Sequence, residues 1–292
     1  MTARTGSRLG AALLLPAVVY IAALVGLPFF LALFYSVSDV KVASDEIHFV
    51  GLRNFADVLA TPAFRRALRN SFVFTVLSQV FVLAGATTLA LALKEAFRTR
   101  RVVRFLILLP WVAPISLGSI GWKWLLDSIY SVFNWFLTRL HLVETPPMWL
   151  GEPGLAMASV VLVHTWRMLP FATVVLLAGL TSIPRDIPEA AAMDGAGFWR
   201  THFQITLPMI RPIILVALLF GVIFTFTDMT VVYILTRGGP YDTTQVLPSL
   251  AFFTGILGGD LSGGAAISLF LFPLLVLAAF LMLRTSRRGE VT

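Results

Sequence analysis

His164, Arg167 and Asp228 are the costly ionisable side chains inside apolar stretches of this 292-residue chain. Each stretch is about 20 residues long, enough for a helix to cross a bilayer core of ~30 Å. A charge at the bilayer centre costs roughly 2.5–3.5 kcal/mol on insertion scales, so such residues face a cavity or a partner. Steps of four and three put His164, Met168 and Phe171 on one helical face. The same spacing joins Gly221, Phe224, Thr225 and Asp228. Aromatic rings beside hydroxyl and carboxylate groups suit a hydroxylated ring such as a sugar: the rings stack on its apolar face and the polar groups take its hydroxyls. Asp228 has a second available role, which is to neutralise Arg167. Covalent chemistry is poorly provided for. The chain has no cysteine. It shows no HExxH or paired-Asp site and no clustered nucleophile and base.

A second set of residues lies in the polar loop SIPRDIPEAAAMDGAGFWRTHFQITLPMIRP, Ser182 to Pro212. Pro184 and Pro188 stop the preceding span and suit the first turn of a new helix. Asp186 and Glu189 lie near that N-terminus, where the helix dipole favours anions. Ala190, Ala191 and Ala192 are strong helix formers and leave a bare surface that permits close docking. Gly195 and Gly197 end the helix or let it turn. Phe198 and Trp199 suit a lipid interface, where aromatic rings collect. Ile205, Leu207 and Pro208 lead into the next span. The expected product is a short helix lying across the membrane face.

Composition demands the membrane. Hydrophobic residues make up 58% of the chain and charged residues 13%, against about 45–50% and 25% in soluble domains. Six spans are expected, at about 9–35, 71–93, 105–126, 155–180, 212–235 and 261–283, with the loop 181–211 between the fourth and fifth. They form one all-α transmembrane domain over 1–292, because backbone amides cannot stay unsatisfied in lipid. The ~10-residue alternating segments of a β-barrel do not occur. The first apolar run exceeds a signal peptide's 7–15 residues and reads as a retained anchor. A short amphipathic helix is expected in the first long loop, with Phe55, Val58, Leu59, Phe64 and Leu68 on one face. Lys123 is placed to snorkel to an interface. Pro16, Pro28, Pro110, Pro114, Pro170 and Pro273 are expected to kink spans. Lys and Arg number 22 against 15 acidic residues, a net +7. On alternate sides of the spans they divide 13 to 7, the larger share on the side of both termini and of the Ser182–Pro212 loop. The positive-inside rule makes that side cytoplasmic.

The loop resembles the EAA motif of ABC importer permeases: Glu-Ala-Ala, three residues, Gly, nine residues, Ile-x-Leu-Pro. Glu189, Ala190, Ala191, Gly195, Ile205, Leu207 and Pro208 fill the pattern, and Asp194 supplies the frequent Asp-Gly-Ala form. FVGLRNF (49–55), LLPWVAP (108–114) and LTRGGP (235–240) are similar to segments of carbohydrate-uptake permeases, so the resemblance covers most of the chain. It implies a type I ABC importer permease core of six transmembrane helices with a cytoplasmic coupling helix, in a prokaryotic cytoplasmic (inner) membrane. It implies a second permease subunit, two ATP-binding subunits and an external solute-binding protein, lipoprotein or periplasmic, with no nucleic acid among the partners. ATP and Mg would sit on the ATP-binding subunits and no cofactor on this chain, which is not itself an enzyme. Glu189 would meet a basic residue of the ATPase, Ala190 and Ala191 would pack closely there, and Gly195 would permit the turn. The solute site would lie mid-membrane on the fourth and fifth spans.

Independently of the resemblance, the chain has no GxxxxGK[ST] phosphate loop, so its driving energy must come from elsewhere. Sugar is the expected cargo. Glycerol-phosphate permeases share these features, and an ion-coupled secondary transporter is the rival of a different class. That rival requires internal repeats and polar ion sites in the membrane. No repeat stands out, and Asp228 is the one acid deep in a span.

Overall fold

A computed structural model describes residues 13–288 except 43 and 45. Arg4 and Arg8 of the charge tally, and residues 9–12 of the first expected span, lie outside the described residues. The helices in chain order are α1 Leu13–Ser36, α2 Arg53–Ala60, α3 Pro62–Lys94, α4 Arg100–Val112, α5 Ile115–Leu125, α6 Val132–Arg139 and α7 Pro153–Ser182. Then come α8 Asp186–Met193, α9 Phe198–Met209, α10 Arg211–Thr227, α11 Thr230–Leu235, α12 Leu247–Leu257 and α13 Leu261–Arg288. Four of them (α1, α3, α7 and α13) are long and apolar enough to cross a membrane, and the number rises to six if the bent pairs α4–α5 and α9–α10 each make one span.

The chain packs as two compact units. One takes in the residues up to Pro62 together with Ala251–Phe270. Within it, two short strands, Ser38–Asp39 and His48–Phe49, pair antiparallel. Asn54 Nδ2 donates to the carbonyls of Ser36 and Ser38, at 2.9 and 2.8 Å, and so fixes α2 beneath them. Val40 exchanges hydrogen bonds with Ser262. The amphipathic face expected for this loop is divided. Val58 is buried on α2, whereas Phe64 and Leu68 belong to α3. The division falls at Thr61, extended at φ −73° and ψ 132°, because the ring of Pro62 disfavours helix in the residue before it.

The second unit comprises Ala63–Leu250 and the chain from Leu271 onward. Its apolar core has two parts. Phe74, Val160, Val163, Val231, Val232 and Leu235 make one, and Val82, Ala86, Met168, Leu176, Leu180 and Ala217 the other. Phe74, Val82 and Ala86 come from α3 and meet α7 in both parts. α3 has 33 residues and runs about 50 Å, so it extends beyond a bilayer core. Asn70 near its start holds the loop after α11 by donating to the carbonyls of Asp242 and Gln245.

Breaks, not smooth curvature, shape this unit. α4 and α5 meet at 96°, with Pro110 in the last turn of α4 and Pro114 capping α5. Proline lacks the amide that would continue the ladder. Pro170 and Pro273, by contrast, lie within the uninterrupted helices α7 and α13. The span expected over 212–235 runs as two helices, α10 and α11, interrupted at Asp228. Lys123 is exposed in the last turn of α5, where a cation is favoured. After α5, the amides of Tyr130 and Ile129 donate to Asp127 and hold its carboxyl below the usual carboxylate range.

Candidate functional site: a polar knot, an aromatic wall and an exposed loop helix

The two polar-aromatic faces meet where α7 crosses α10, and Asp228 is the hub. Its Oδ2 accepts from Arg167 Nη1 at 3.0 Å and lies 3.2 Å from His164 Nδ1. Its Oδ1 accepts the Thr230 amide at 2.7 Å. His164 Nε2 lies 2.9 Å from Thr225 Oγ1, which also accepts from Gln79 Nε2 at 2.8 Å. The knot is buried: the side chain of His164 is 0% exposed and that of Asp228 7%. Met168, Gly221 and Thr225 are buried with it. Gly221 is required there, because a Cβ would run into Gln79 Oε1.

The sequence reading puts all seven of these pathway residues on a solute-facing wall. The structure divides them. Phe224 is 39% exposed and Phe171 partly so, while His164, Met168, Gly221, Thr225 and Asp228 are turned into the protein. The physical reason is that hydrogen bonds and the ion pair within the network offset much of the desolvation of Asp228, His164 and Thr225, although Gln79 Oε1 is buried without a partner. Asp228 has three donors on its two oxygens and needs no further partner.

Thr225, His164 and Asp228 have the connectivity of a hydroxyl–imidazole–carboxylate relay. They cannot act as one. Thr225 is 1% exposed, and its single hydroxyl proton is shared between His164 and the Gly221 carbonyl, 2.7 Å away. No substrate atom can approach it.

In front of the knot stands an aromatic cluster. Trp111 stacks on Phe171, centroids 5.1 Å apart and 26° between planes. Phe224 packs edge-on to Phe171 at 5.7 Å, and Phe220 completes the group. Trp111, Phe220 and Phe224 each keep more than a third of their surface exposed. Trp111, Phe220 and Gln79 are absent from the sequence-derived site. Gln79 was findable, being the one carboxamide in an otherwise uncharged expected span. Trp111 lies within LLPWVAP, but its approach to Phe171 depends on the bend between α4 and α5.

The loop helix is α8, with Asp186 and Glu189 in its first turn. It ends where the Ala196 amide bonds the Ala191 carbonyl at 2.9 Å and Gly195 takes φ +77°, a left-handed turn that glycine adopts without strain. Glu189, Ala190, Asp194 and Gly195 are exposed, and Met193 is 89% exposed. Ala191 differs from Ala190 in exposure: it is 6% exposed, one residue and about 100° round the helix from Ala190, and faces inward. Leu207 packs on the core, Ile205 is half-buried and Pro208 exposed. Leu207 thus anchors the end of the loop to the core. Phe198 and Trp199 are exposed and stack on His202 and Phe203. No cluster of three or more His, Cys, Asp or Glu residues that would hold a metal occurs among the described residues.

Residues 82–289 match the family of binding-protein-dependent transport system inner membrane components. The trehalose/maltose transport system permease MalF of Thermococcus litoralis is 33% identical over 281 residues, 96% of this chain and 94% of its own. The sulfoquinovosyl glycerol transport system permease SmoG of Agrobacterium fabrum is 31% identical over 98% of this chain and 92% of its own. The diacetylchitobiose uptake permease DasB of Streptomyces coelicolor is 31% identical over 91% and 84%. Among solved structures, a bacterial ABC transporter that imports the acidic polysaccharide alginate contains a chain of like fold, with TM-score 0.84 at 22% identity over 97% of this chain and 96% of that one.

Proposed function

Because the chain belongs to the family of binding-protein-dependent transport system inner membrane components, we propose that it carries a sugar across the membrane along the aromatic wall. The chain is a multi-pass inner-membrane permease subunit of an ABC importer and not its ATPase. That membership sets aside an ion-coupled transporter acting alone. The proposal concerns the cargo, the surface it touches, the partners and the orientation.

The observation that carries the cargo reading is the aromatic group Trp111, Phe171, Phe220 and Phe224, largely exposed and backed by a buried polar knot. Flat rings offer a stacking face to a pyranose. Three relatives named for trehalose/maltose, sulfoquinovosyl glycerol and diacetylchitobiose agree with a carbohydrate. In this reading Phe171 and Phe224 meet the solute, while His164, Met168, Gly221, Thr225 and Asp228 hold the wall in place.

Glu189, Ala190, Asp194 and Gly195 dock on an ATP-binding subunit, with ATP and Mg on that partner. A second permease completes the pathway and an external binding protein delivers the solute. Both termini are cytoplasmic. The test is uptake by the reconstituted complex with its own binding protein. Phe224→Ala and Phe171→Ala should each raise KM for the sugar by about fivefold, on the basis of about 1 kcal/mol per ring contact. Wild-type KM in both variants removes the wall as the solute surface. Binding of a panel of neutral sugars, acidic sugars and glycerol phosphate to the cognate binding protein identifies the cargo class.

A further inference from the structure

We infer that the Arg167–Asp228 ion pair is a clasp across two joints of the fold and opens in each transport cycle. It rests on the chain's role as a permease and is independent of which surface touches the solute.

The helix pairs α4–α5 and α10–α11 are interrupted, as is α9–α10. The joints of the first two are extended backbone: Ala113 at φ −65° and ψ 142°, Asp228 at φ −78° and ψ 124°. A joint of that kind turns without breaking the hydrogen-bond ladder of either flanking helix. The four pieces of those two pairs sort into two blocks. α4 and α10 both lie along α7, while α5 lies along α11 in the most extensive helix–helix contact among the described residues; α5 and α11 also touch α7, less extensively, through the buried core that Val231 and Val232 share with Val160 and Val163. One block is thus α4, α7 and α10, and the other is α5 with α11.

Arg167 stands on α7 where the two joints come together. With Pro110, Ala113 and Pro114 of the first joint and Val231 of α11 it lines one small cavity. Its guanidinium bonds Asp228, which is the second joint. Asp228 in turn holds the start of α11 through the Thr230 amide. The carboxylate therefore adds a polar tie to the apolar packing of the α5–α11 block on α7, at the point about which the block would turn. His164 braces the same oxygen from α7. The pair is also reachable, because Arg167 is partly exposed whereas Asp228 is not. Arg167 and Asp228 are positioning residues here, acting through the joint and not by contact with solute.

The experiment uses the full complex in vesicles and compares ATPase rates without and with solute-loaded binding protein. Asp228→Asn keeps the shape and removes the charge. The ratio of stimulated to basal rate per assembled complex should fall about fivefold or more, the lower end of coupling between linked sites. Arg167→Lys keeps a cation without the planar fork and should lower the ratio less. It serves as the reading if the Asn variant assembles poorly. A wild-type ratio per complex with reduced yield makes the pair merely structural and overturns the inference. A changed KM at an unchanged ratio makes it a solute contact and also overturns it. The chain has no cysteine, so Arg167→Cys with Asp228→Cys, in cysteine-free partners, permits a direct check. Bridging the two thiols with a short bis-thiosulfonate should stop turnover, and a reductant should restore it. Turnover that continues while the bridge is intact overturns the clasp.

Discussion

Asp228 shows how much a residue's neighbours decide about its role. Its carboxylate takes donors from Arg167, His164 and the Thr230 amide, and its removal strands a cation in a largely dry place. Breaking a buried pair by deleting one partner costs about 3–5 kcal/mol. Asp228→Ala should therefore lower complex yield and thermal midpoint, and the double change with Arg167→Ala should recover much of both, as read by size-exclusion yield and a melting assay in detergent. No recovery in the double variant would mean the two side chains are not energetically coupled. Gly221 allows a second test of the same knot. A side chain there displaces Gln79 and frees Thr225, so Gly221→Val should destabilise by about 1–3 kcal/mol, the range for overpacking. The helical faces carrying these residues were legible from spacing alone. Which way they face was not. In a soluble helix polarity marks the outside, but within a membrane a polar face seeks the protein interior as readily as a cavity.

At the scale of the element, the loop helix α8 was the most legible part of the chain, since its prolines, first-turn acids, alanines and glycines are all local signals. The side it presents was not, because Ala190 and Ala191 are the same residue type and only packing separates them. That difference makes a prediction. Ala190→Leu adds bulk on an exposed face and should weaken ATPase docking while leaving the permease as stable as wild type. Ala191→Leu adds it to a buried position and should lower the thermal midpoint. Matching effects of the two variants on stability would contradict the observed face. Gly195 is a different case. A Cβ there meets nothing within 4 Å, but φ is +77°. Gly195→Val therefore strains the turn by about 1–2 kcal/mol and not the spans. Binding-protein-stimulated ATPase should drop by about tenfold or more, with the spans still inserted. Glu189→Lys should do the same by reversing an exposed charge. The helix breaks were half legible. Pro110 and Pro114 flag the 96° bend, yet Pro170 sits in an unbroken helix and the break at Asp228 has no proline at all. There the side chain, bonded to Thr230 and Arg167, takes over from the backbone ladder.

For the whole molecule the open question is how many times the chain crosses the bilayer, and it turns on the bent pairs. α4 has 13 residues and α5 has 11, about 20 and 16 Å of helix, so neither crosses a ~30 Å core alone. If together they cross, the segments on either side of them lie on opposite faces of the membrane. If they re-enter, those segments share a face, and everything after α5 is inverted. Charge favours a crossing. Arg100, Arg101 and Arg104 crowd the start of α4, whereas Lys123 is the one basic residue in α5. Cations gathered at one end of a membrane segment stay cytoplasmic. The proposed orientation, by the same rule, has the α8 loop on the cytoplasmic side, as docking on an ATPase requires. Single cysteines at Thr99, Glu144 and Met193, all exposed positions in a chain without native cysteine, decide the matter. With an impermeant thiol reagent applied to intact cells, Glu144→Cys should label, while Thr99→Cys and Met193→Cys should label only after the membrane is opened. Labelling of the positions 99 and 144 from the same side would make α4–α5 re-entrant. Labelling at 193 from outside would remove α8 from any ATPase and overturn the docking proposal with it.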